Sequence, residues 1–138
     1  MNGDLCLMIW SKWAGGPEAE NSGEVFVSVT HFQAVRMIDM PRIMLSGWAL
    51  QRRWEELPGA VGTWLWLDLA RKRSGSVSVW RAESDMRNFV RWAPHVEIVR
   101  RNRQAGRMTS ISWTLAKLDR RAIRTDATRR LSNWNDGA

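Results

Sequence analysis

The chain has 138 residues, of which 44% are hydrophobic, and this length and composition predict a single folded domain rather than a disordered chain. A single cysteine excludes an intramolecular disulfide and a cysteine-rich zinc site, and two histidines provide few ligands for a metal site built from imidazoles. No apolar run approaches the roughly 20 residues that a membrane span needs, and no basic segment precedes the short apolar stretch near the N-terminus. We therefore expect a soluble, cytoplasmic protein with no membrane partner and no bound metal.

The net charge of +7 lies at the C-terminal end of the chain. Residues 100–138 contain ten Lys and Arg and three Asp and Glu, so the first 99 residues sum to zero. The sequence predicts an N-terminal extension at 1–22, which docks on the body or on a partner chain, then a domain at 23–118 and a basic tail at 119–138. Within the tail, the pattern indicates either a short helix at Asp126–Leu131 or a frayed end.

Patterns of apolar residues divide the central domain into strands with a two-residue period and helices with a 3.6-residue period. The predicted elements are a strand at 25–32, a helix from Asp39 to Leu57, strands at 61–69 and 76–80, a helix at 84–92 that continues at 95–104 after Pro94, and a strand at 108–115. This β-α-β-β-α-β order predicts a ferredoxin-like α+β fold, with a four-stranded antiparallel sheet and two helices on one face. Because the other face would leave apolar side chains in water, we expect a second copy to cover it in a symmetric homodimer.

Three segments resemble the dimeric α+β barrel superfamily, and in particular the antibiotic-biosynthesis-monooxygenase-like proteins. Residues 78–90, SVWRAESDMRNFV, are similar to the strand-turn-helix unit of that group. Residues 93–95, APH, are similar to the Ala-His unit that follows it, and residues 57–62, LPGAVG, are similar to the turn before the second strand. The resemblance covers roughly residues 24–117. It implies a homodimer whose two sheets face each other as a barrel, with a ligand cavity between the sheet and the helices of each subunit. Members oxidise aromatic polyketides without metal or flavin, degrade haem, isomerise lactones or only bind ligands.

The function that we expect is that of a small-molecule enzyme, a monooxygenase-like oxidoreductase acting on a hydrophobic or aromatic natural-product intermediate. His95 and His31 are the candidate catalytic bases, because imidazole titrates near neutral pH. The structural alternatives are a hydrogen-bonded His31 at the edge of the sheet and a His95 that caps a helix. Ten tryptophans favour a cavity that stacks a flat ring. The candidate substrate-binding residues are Trp66, Trp80, Phe89, Trp92, Trp113 and Ser78.

We expect this enzyme to use no cofactor, and haem is the alternative. In the haem-degrading members a ligand histidine on the second helix falls near Val99 of this chain, whereas His95 lies one turn earlier. Haem could instead be held by His95 or His31 in a different pose. The sequence contains no P-loop, dinucleotide-binding, zinc-protease or paired-cysteine motif.

The arginine-rich tail forms the basis of a third hypothesis, a non-catalytic binding module that contacts nucleic acid. Runs of charge are usually solvated, and Asp119, Asp126 and Asp136 dilute the positive field. Nucleic acid is therefore not an expected partner. The expected partners are a small hydrophobic substrate and a second copy of the chain.

Overall fold

The structure of the chain, a computed structural model, describes residues 8–134. The strands are β1 (Met8–Trp10), β2 (Ala14–Gly15), β3 (Val25–Ala34), β4 (Ala60–Asp68), β5 (Arg73–Trp80) and β6 (Gly106–Leu115). The helices are α1 (Met40–Gln51), α2 (Glu83–Arg91), α3 (Ala93–Asn102) and α4 (Arg120–Ser132). The strands form one sheet in the order β1-β4-β5-β3-β6, and β2 also pairs with β4.

The four long strands confirm the predicted ferredoxin-like fold. β3 lies between β5 and β6, β4 pairs with β5, and each pair is antiparallel. α1 connects β3 to β4, and α2 with α3 connects β5 to β6, as the β-α-β-β-α-β order requires. The sheet has two short strands beyond the four predicted, because β1 and β2 add to its edge at β4.

Helices α1 to α3 lie on one face of the sheet. There Phe26 and Trp80 of the sheet pack against Trp54 and Leu57 from the segment that follows α1. α1 is shorter than predicted, since it ends at Gln51 and a separate 3-10 turn carries Trp54. Trp54 and Leu57 are nevertheless buried as the pattern indicated. No helix within residues 8–134 has the length and apolar composition to cross a membrane.

The opposite face of the sheet is covered by α4, a helix that the sequence analysis predicted only in part. α4 has 13 residues, whereas the predicted helix covered Asp126–Leu131. Asp119 begins α4, and its side chain accepts a hydrogen bond from the Ala122 backbone N–H at 3.0 Å. Ile123, Ala127 and Leu131 are spaced by one helical turn and are fully buried. The stripe they form packs on Val25, Val27, Val29, Val77 and Val79 of the sheet.

The described part of the N-terminal extension, residues 8–22, docks on the body of the same chain. Its Trp10 and Trp13 meet the Trp64 ring edge-on, with centroids 6.1 and 4.6 Å apart. The guanidinium of Arg124 lies 4.8 Å from the Trp10 ring, and that of Arg120 lies 4.9 Å from the Trp13 ring. Strand β4 and helix α4 therefore both hold this segment in place.

A buried ion pair also fastens α4 to the sheet. The Arg73 guanidinium lies 2.9 Å from an Asp68 oxygen, and both side chains are almost entirely buried. Arg73 also donates to the backbone carbonyl of Leu131 at 3.0 Å. The sheet face that we expected to need a second copy is thus covered within one chain, and the argument for a homodimer through that face loses its premise.

Candidate functional site

The sheet divides the predicted site residues into two groups. Trp66 pairs with Gly75, and Trp80 lies five residues beyond Gly75 on β5, so the two indoles point to opposite faces. The predicted single cavity containing both rings is therefore not formed. The α4 face carries Trp66, Trp113 and His31, whereas the α1–α3 face carries Ser78, Trp80, Phe89, Trp92 and His95.

A small pocket of about 210 Å³ opens on the α1–α3 face, and we call it the aromatic pocket. The Phe89 ring stands between the other two aromatic rings, with its centroid 5.3 Å from that of Trp80 and 6.1 Å from that of Trp92. These three predicted residues do come together. The lining consists of Glu56, Leu57, Pro58, Trp80, Asp85, Asn88, Phe89 and Trp92.

Ser78 positions the Trp80 ring of the aromatic pocket. The indole Nε1–H of Trp80 donates to the Ser78 hydroxyl at 3.0 Å, and both residues are buried. The Ser78 hydroxyl in turn donates to the backbone carbonyl of Ser28 at 3.4 Å. These bonds satisfy the polar atom of a fully buried indole and fix the orientation of its ring. Ser78 is therefore a positioning residue for the pocket and not one of its lining residues.

His95 lies beside the pocket at the start of α3. Its ring centroid is 4.5 Å from that of Phe89, and its Nδ1 is 3.1 Å from the backbone carbonyl of Val90. Burial lowers the pKa of His95, and the Val90 hydrogen bond opposes that shift only in part. The imidazole is consequently neutral at pH 7. Because a carbonyl can only accept, Nδ1 carries the proton and Nε2 is left as the basic nitrogen.

Asp85 lines the aromatic pocket and was not predicted from the sequence. One of its oxygens lies 3.4 Å from Arg81, and the other is buried without a hydrogen-bond partner among the described residues. A Cβ at Gly59 would come within 2.5 Å of the Asp85 side chain, so Gly59, with φ of +80°, allows this close approach. In the sequence Asp85 is an ordinary acidic residue in the first turn of a helix, which gave no signal of a pocket.

Small hydroxyl residues lie side by side across strands β3, β5 and β6. Ser28 of β3 is paired with Ser78 of β5 and Ser112 of β6. Thr30 pairs in the same way with Ser76 and Ser110, and the Thr30 and Ser76 hydroxyls are 2.8 Å apart. The two β6 serines are exposed. These rows form a polar surface open at the β6 edge.

His31, Trp66 and Trp113 lie on the far side of the sheet, under α4. β3 is a central strand, so His31 is not at a sheet edge, and only 1% of its surface is exposed. Its ring stacks on that of Trp134 at 4.9 Å, and the Trp66 indole donates to the Thr30 carbonyl at 3.2 Å. Trp113 is covered by the guanidinium of Arg130 at 4.2 Å. A ligand could reach this group only if α4 moved away.

Haem does not fit the space beside either histidine. Pockets for drug-sized ligands measure roughly 300–1,000 Å³, and a porphyrin ring is at least as large as such ligands. The aromatic pocket beside His95 is about 210 Å³, and His31 is enclosed by Trp134 and α4. Among the described residues, no three His, Cys, Asp or Glu side chains are grouped in a way that could hold a metal ion.

Comparison with known proteins identifies similar folds but no close relative. No family model and no curated protein matches the chain. A monooxygenase-like protein from Listeria innocua superposes on 75% of this chain and 61% of its own, with a TM-score of 0.53 and 15% identity. LmHde, a haem-degrading enzyme from Listeria monocytogenes, covers 75% of this chain and 68% of its own, with a TM-score of 0.56 and 16% identity. SnoaB, a cofactor-independent oxygenase from Streptomyces nogalater, covers 70% of this chain and 97% of its own, with a TM-score of 0.53 and 14% identity.

These similarities confirm, at the level of the fold, the resemblance to antibiotic-biosynthesis-monooxygenase-like proteins. The chain spans as little as 44% of a solved chain that it matches. Since one fold supports many reactions, the similarity carries no substrate with it.

Proposed function

We propose that the protein is a small-molecule oxidoreductase of the oxygenase type, and that the aromatic pocket binds a flat, hydrophobic substrate. The observation that carries this proposal is the position of the His95 imidazole, whose centroid lies 4.5 Å from the ring of Phe89, a residue that lines the aromatic pocket. The pocket volume of about 210 Å³ favours a substrate of one or two rings over a larger polycyclic compound.

The substrate would stack on Phe89 and Trp92, two adjacent aromatic rings of the pocket. The unpaired oxygen of Asp85 would accept a hydrogen bond from a substrate hydroxyl, which favours a phenolic or enolic compound. His31 takes no part in this proposal, because α4 and Trp134 enclose it.

In the proposed reaction, Nε2 of His95 removes a proton from an activated CH2 group of the substrate, such as that of the keto tautomer of a phenol, and later returns it to the peroxide anion. The carbanion then gives its electron pair to O2 and forms a C–O bond, and the resulting hydroperoxide loses water to leave a carbonyl. The substrate supplies the electrons and O2 accepts them, so this route requires neither an external reductant nor a cofactor. The protein contributes a base, orientation and exclusion of water. The fold similarity to a cofactor-independent oxygenase supports this route, and the mismatch between the pocket and a porphyrin speaks against the haem route.

Hydroxylated one- and two-ring aromatics, such as dihydroxynaphthalenes, provide the test. We expect them to quench tryptophan fluorescence and to be oxidised with uptake of O2.

Trp92→Ala should weaken binding, whereas the matched variant Trp113→Phe on the other sheet face should not. His95→Gln should slow O2 uptake about 100-fold or more while binding persists. The proposal fails if none of these probes binds, if His95→Gln reacts at the normal rate, or if the purified protein shows a haem Soret band.

A further inference from the structure

A second concave surface lies on the other side of the molecule, between the N-terminal segment and α4. This surface is an open groove of about 1250 Å³, which we call the basic groove. Its lining consists of Ser11, Lys12, Trp13, Trp64, Arg120, Arg121, Arg124, Thr125, Thr128, Arg129, Ser132 and Asn133. Within residues 8–134, this lining therefore contains five cationic side chains and no carboxylate.

The positive charge of the groove is largely uncompensated. Arg129 is paired with Asp126 of α4. Lys12, Arg120, Arg121 and Arg124 form no ion pair with any residue in the described range 8–134. Several cations along one concave surface create a field that attracts anions from solution.

Two of these arginines are held in position by tryptophans of the N-terminal segment. The Arg120 guanidinium lies over Trp13, and the Arg124 guanidinium lies over Trp10. A stacked guanidinium loses less side-chain entropy when it binds an anion than a freely rotating one does. The groove thus has the geometry of a preorganised anion site, in contrast to the frayed tail that was one outcome expected from the sequence.

We propose that the basic groove binds single-stranded nucleic acid. Its lining runs along α4 from Arg120 to Asn133, a distance of about 20 Å at 1.5 Å per helical residue, which suits a linear ligand better than a compact anion. Single-strand sites elsewhere combine a positive groove that follows the phosphates with aromatic side chains. Trp13, an aromatic ring that lines this groove, is covered by Arg120 and packs on Trp64, so the proposal depends on the phosphate contacts. A concave channel between two chain segments also suits a flexible single strand better than a flat membrane or a rigid duplex.

The groove is independent of the aromatic pocket, because the two lie on opposite faces of the sheet. This proposal departs from the expectation that nucleic acid is not a partner. From the sequence we expected the tail arginines to be solvated and the tail aspartates to weaken their positive field. In the structure Asp119 caps α4, and Asp126 pairs with Arg129 and Arg130, so neither carboxylate pairs with Arg120, Arg121 or Arg124.

The test measures fluorescence anisotropy of a labelled oligo(dT) with the full-length chain. We expect binding whose affinity falls about 50-fold between roughly 50 and 200 mM KCl, as release of counterions by about four cations predicts. The triple variant Arg120→Gln/Arg121→Gln/Arg124→Gln should bind at least about tenfold more weakly, since a large share of single-strand affinity comes from phosphate contacts.

The matched control Arg100→Gln/Arg101→Gln/Arg103→Gln removes the same charge from α3 and its C-terminal end, outside the groove, and should retain near-normal binding. The single variant Arg121→Gln removes a groove cation that has no ring partner among residues 8–134, so its loss of binding cannot arise from loss of such a stacking contact. The proposal is overturned if oligo(dT) does not bind, if both triple variants lose affinity equally, or if polyglutamate, duplex DNA or anionic phosphatidylserine vesicles bind at least as tightly.

Discussion

Gly62 allows two tryptophans of distant segments to pack closely at the sheet edge. It pairs with Gly15 of β2, and a Cβ added at Gly62 would lie 1.9 Å from a ring atom of Trp13. No side chain other than hydrogen fits there while Trp13 rests on Trp64. The docking of the N-terminal segment, and with it one wall of the basic groove, therefore depends on this glycine.

Gly62→Ala should lower the free energy of unfolding by about 1–3 kcal/mol, because the new methyl group displaces a packed indole. Chemical denaturation followed by tryptophan fluorescence measures this loss. Gly23→Ala is the matched control, since its nearest contact is 3.8 Å away and it should change stability by less than about 0.5 kcal/mol. Equal stability of the two variants would show that the segment does not pack against β4 in this way.

His95 gives the protein a pH-dependent stability whose sign follows from its environment. Burial lowers the pKa of His95 below its usual 6.5, so the folded state binds fewer protons than the unfolded state in mildly acidic solution. The stabilisation from the neutral imidazole is complete above pH 6.5 and is lost as the pH falls through the lowered pKa. We expect the denaturation midpoint to drop between about pH 7.5 and pH 5 by a larger amount in the wild type than in His95→Gln. An identical drop in both proteins would assign the pH dependence to other groups.

At the scale of elements, α4 shows how a polar helix can complete a core. Apart from its buried stripe, α4 is dominated by arginine and polar residues, so it gave only a weak signal as a core element. Ile123, Ala127 and Leu131 nevertheless lie on one face and contact the valines of β3 and β5. The long exposed side chains of the same helix form the wall of the basic groove. One helix thus serves both the core and the surface.

Ile123→Ala should destabilise the protein by about 2–5 kcal/mol, as expected when a fully buried side chain leaves a cavity. Thr125→Ala, at an exposed position of the same helix, is the control and should have an effect within about 0.5 kcal/mol. Urea denaturation of both variants measures the difference. If Ile123→Ala unfolds at the wild-type midpoint, α4 does not pack on the sheet in solution.

At the scale of the whole molecule, the two faces of the sheet are used differently. The α1–α3 face carries the aromatic pocket and the serine rows, whereas the other face is closed by α4 and anchored by the Arg73 to Leu131 bond. The apolar valines that led us to expect a homodimer through the second face are buried by the chain itself. Dimer formation through that face requires α4 to leave the sheet.

Ile123→Asp/Leu131→Asp should expel α4 and expose the valine-rich sheet face, and we expect this double variant to self-associate. Light scattering coupled to size-exclusion chromatography measures the mass of the variant and of the wild type. Thr125→Asp/Arg121→Asp, which alters exposed positions of α4, is the control and should keep the wild-type mass. A double variant with the same mass as the wild type would contradict this role of α4.

Local patterns in the sequence determined the order of elements. The signals were local: apolar residues alternate on the four strands, recur at helical spacing in α1, and are interrupted at Pro94. Each of these patterns depends on residues close together in the chain, and each predicted element is present in the structure. The aromatic composition and the neutral-range titration of imidazole made Trp80, Phe89, Trp92 and His95 candidate site residues, and the structure brings these four together. These residues lie close in sequence around one strand-turn-helix unit, so their proximity in the structure follows from local geometry.

The tertiary structure alone decided which residues face each other across long separations. The register between β4 and β5 places Trp66 and Trp80 on opposite faces, and no local pattern specifies that register. The burial of α4 depends on three side chains that pack on strands about 50 and about 100 residues earlier in the chain, and the basic groove depends on α4 lying beside the N-terminal segment. The sequence shows which side chains are apolar but not which of them contact each other, because hydrophobic attraction is not directional. Only the packing of the whole chain selects the contacts.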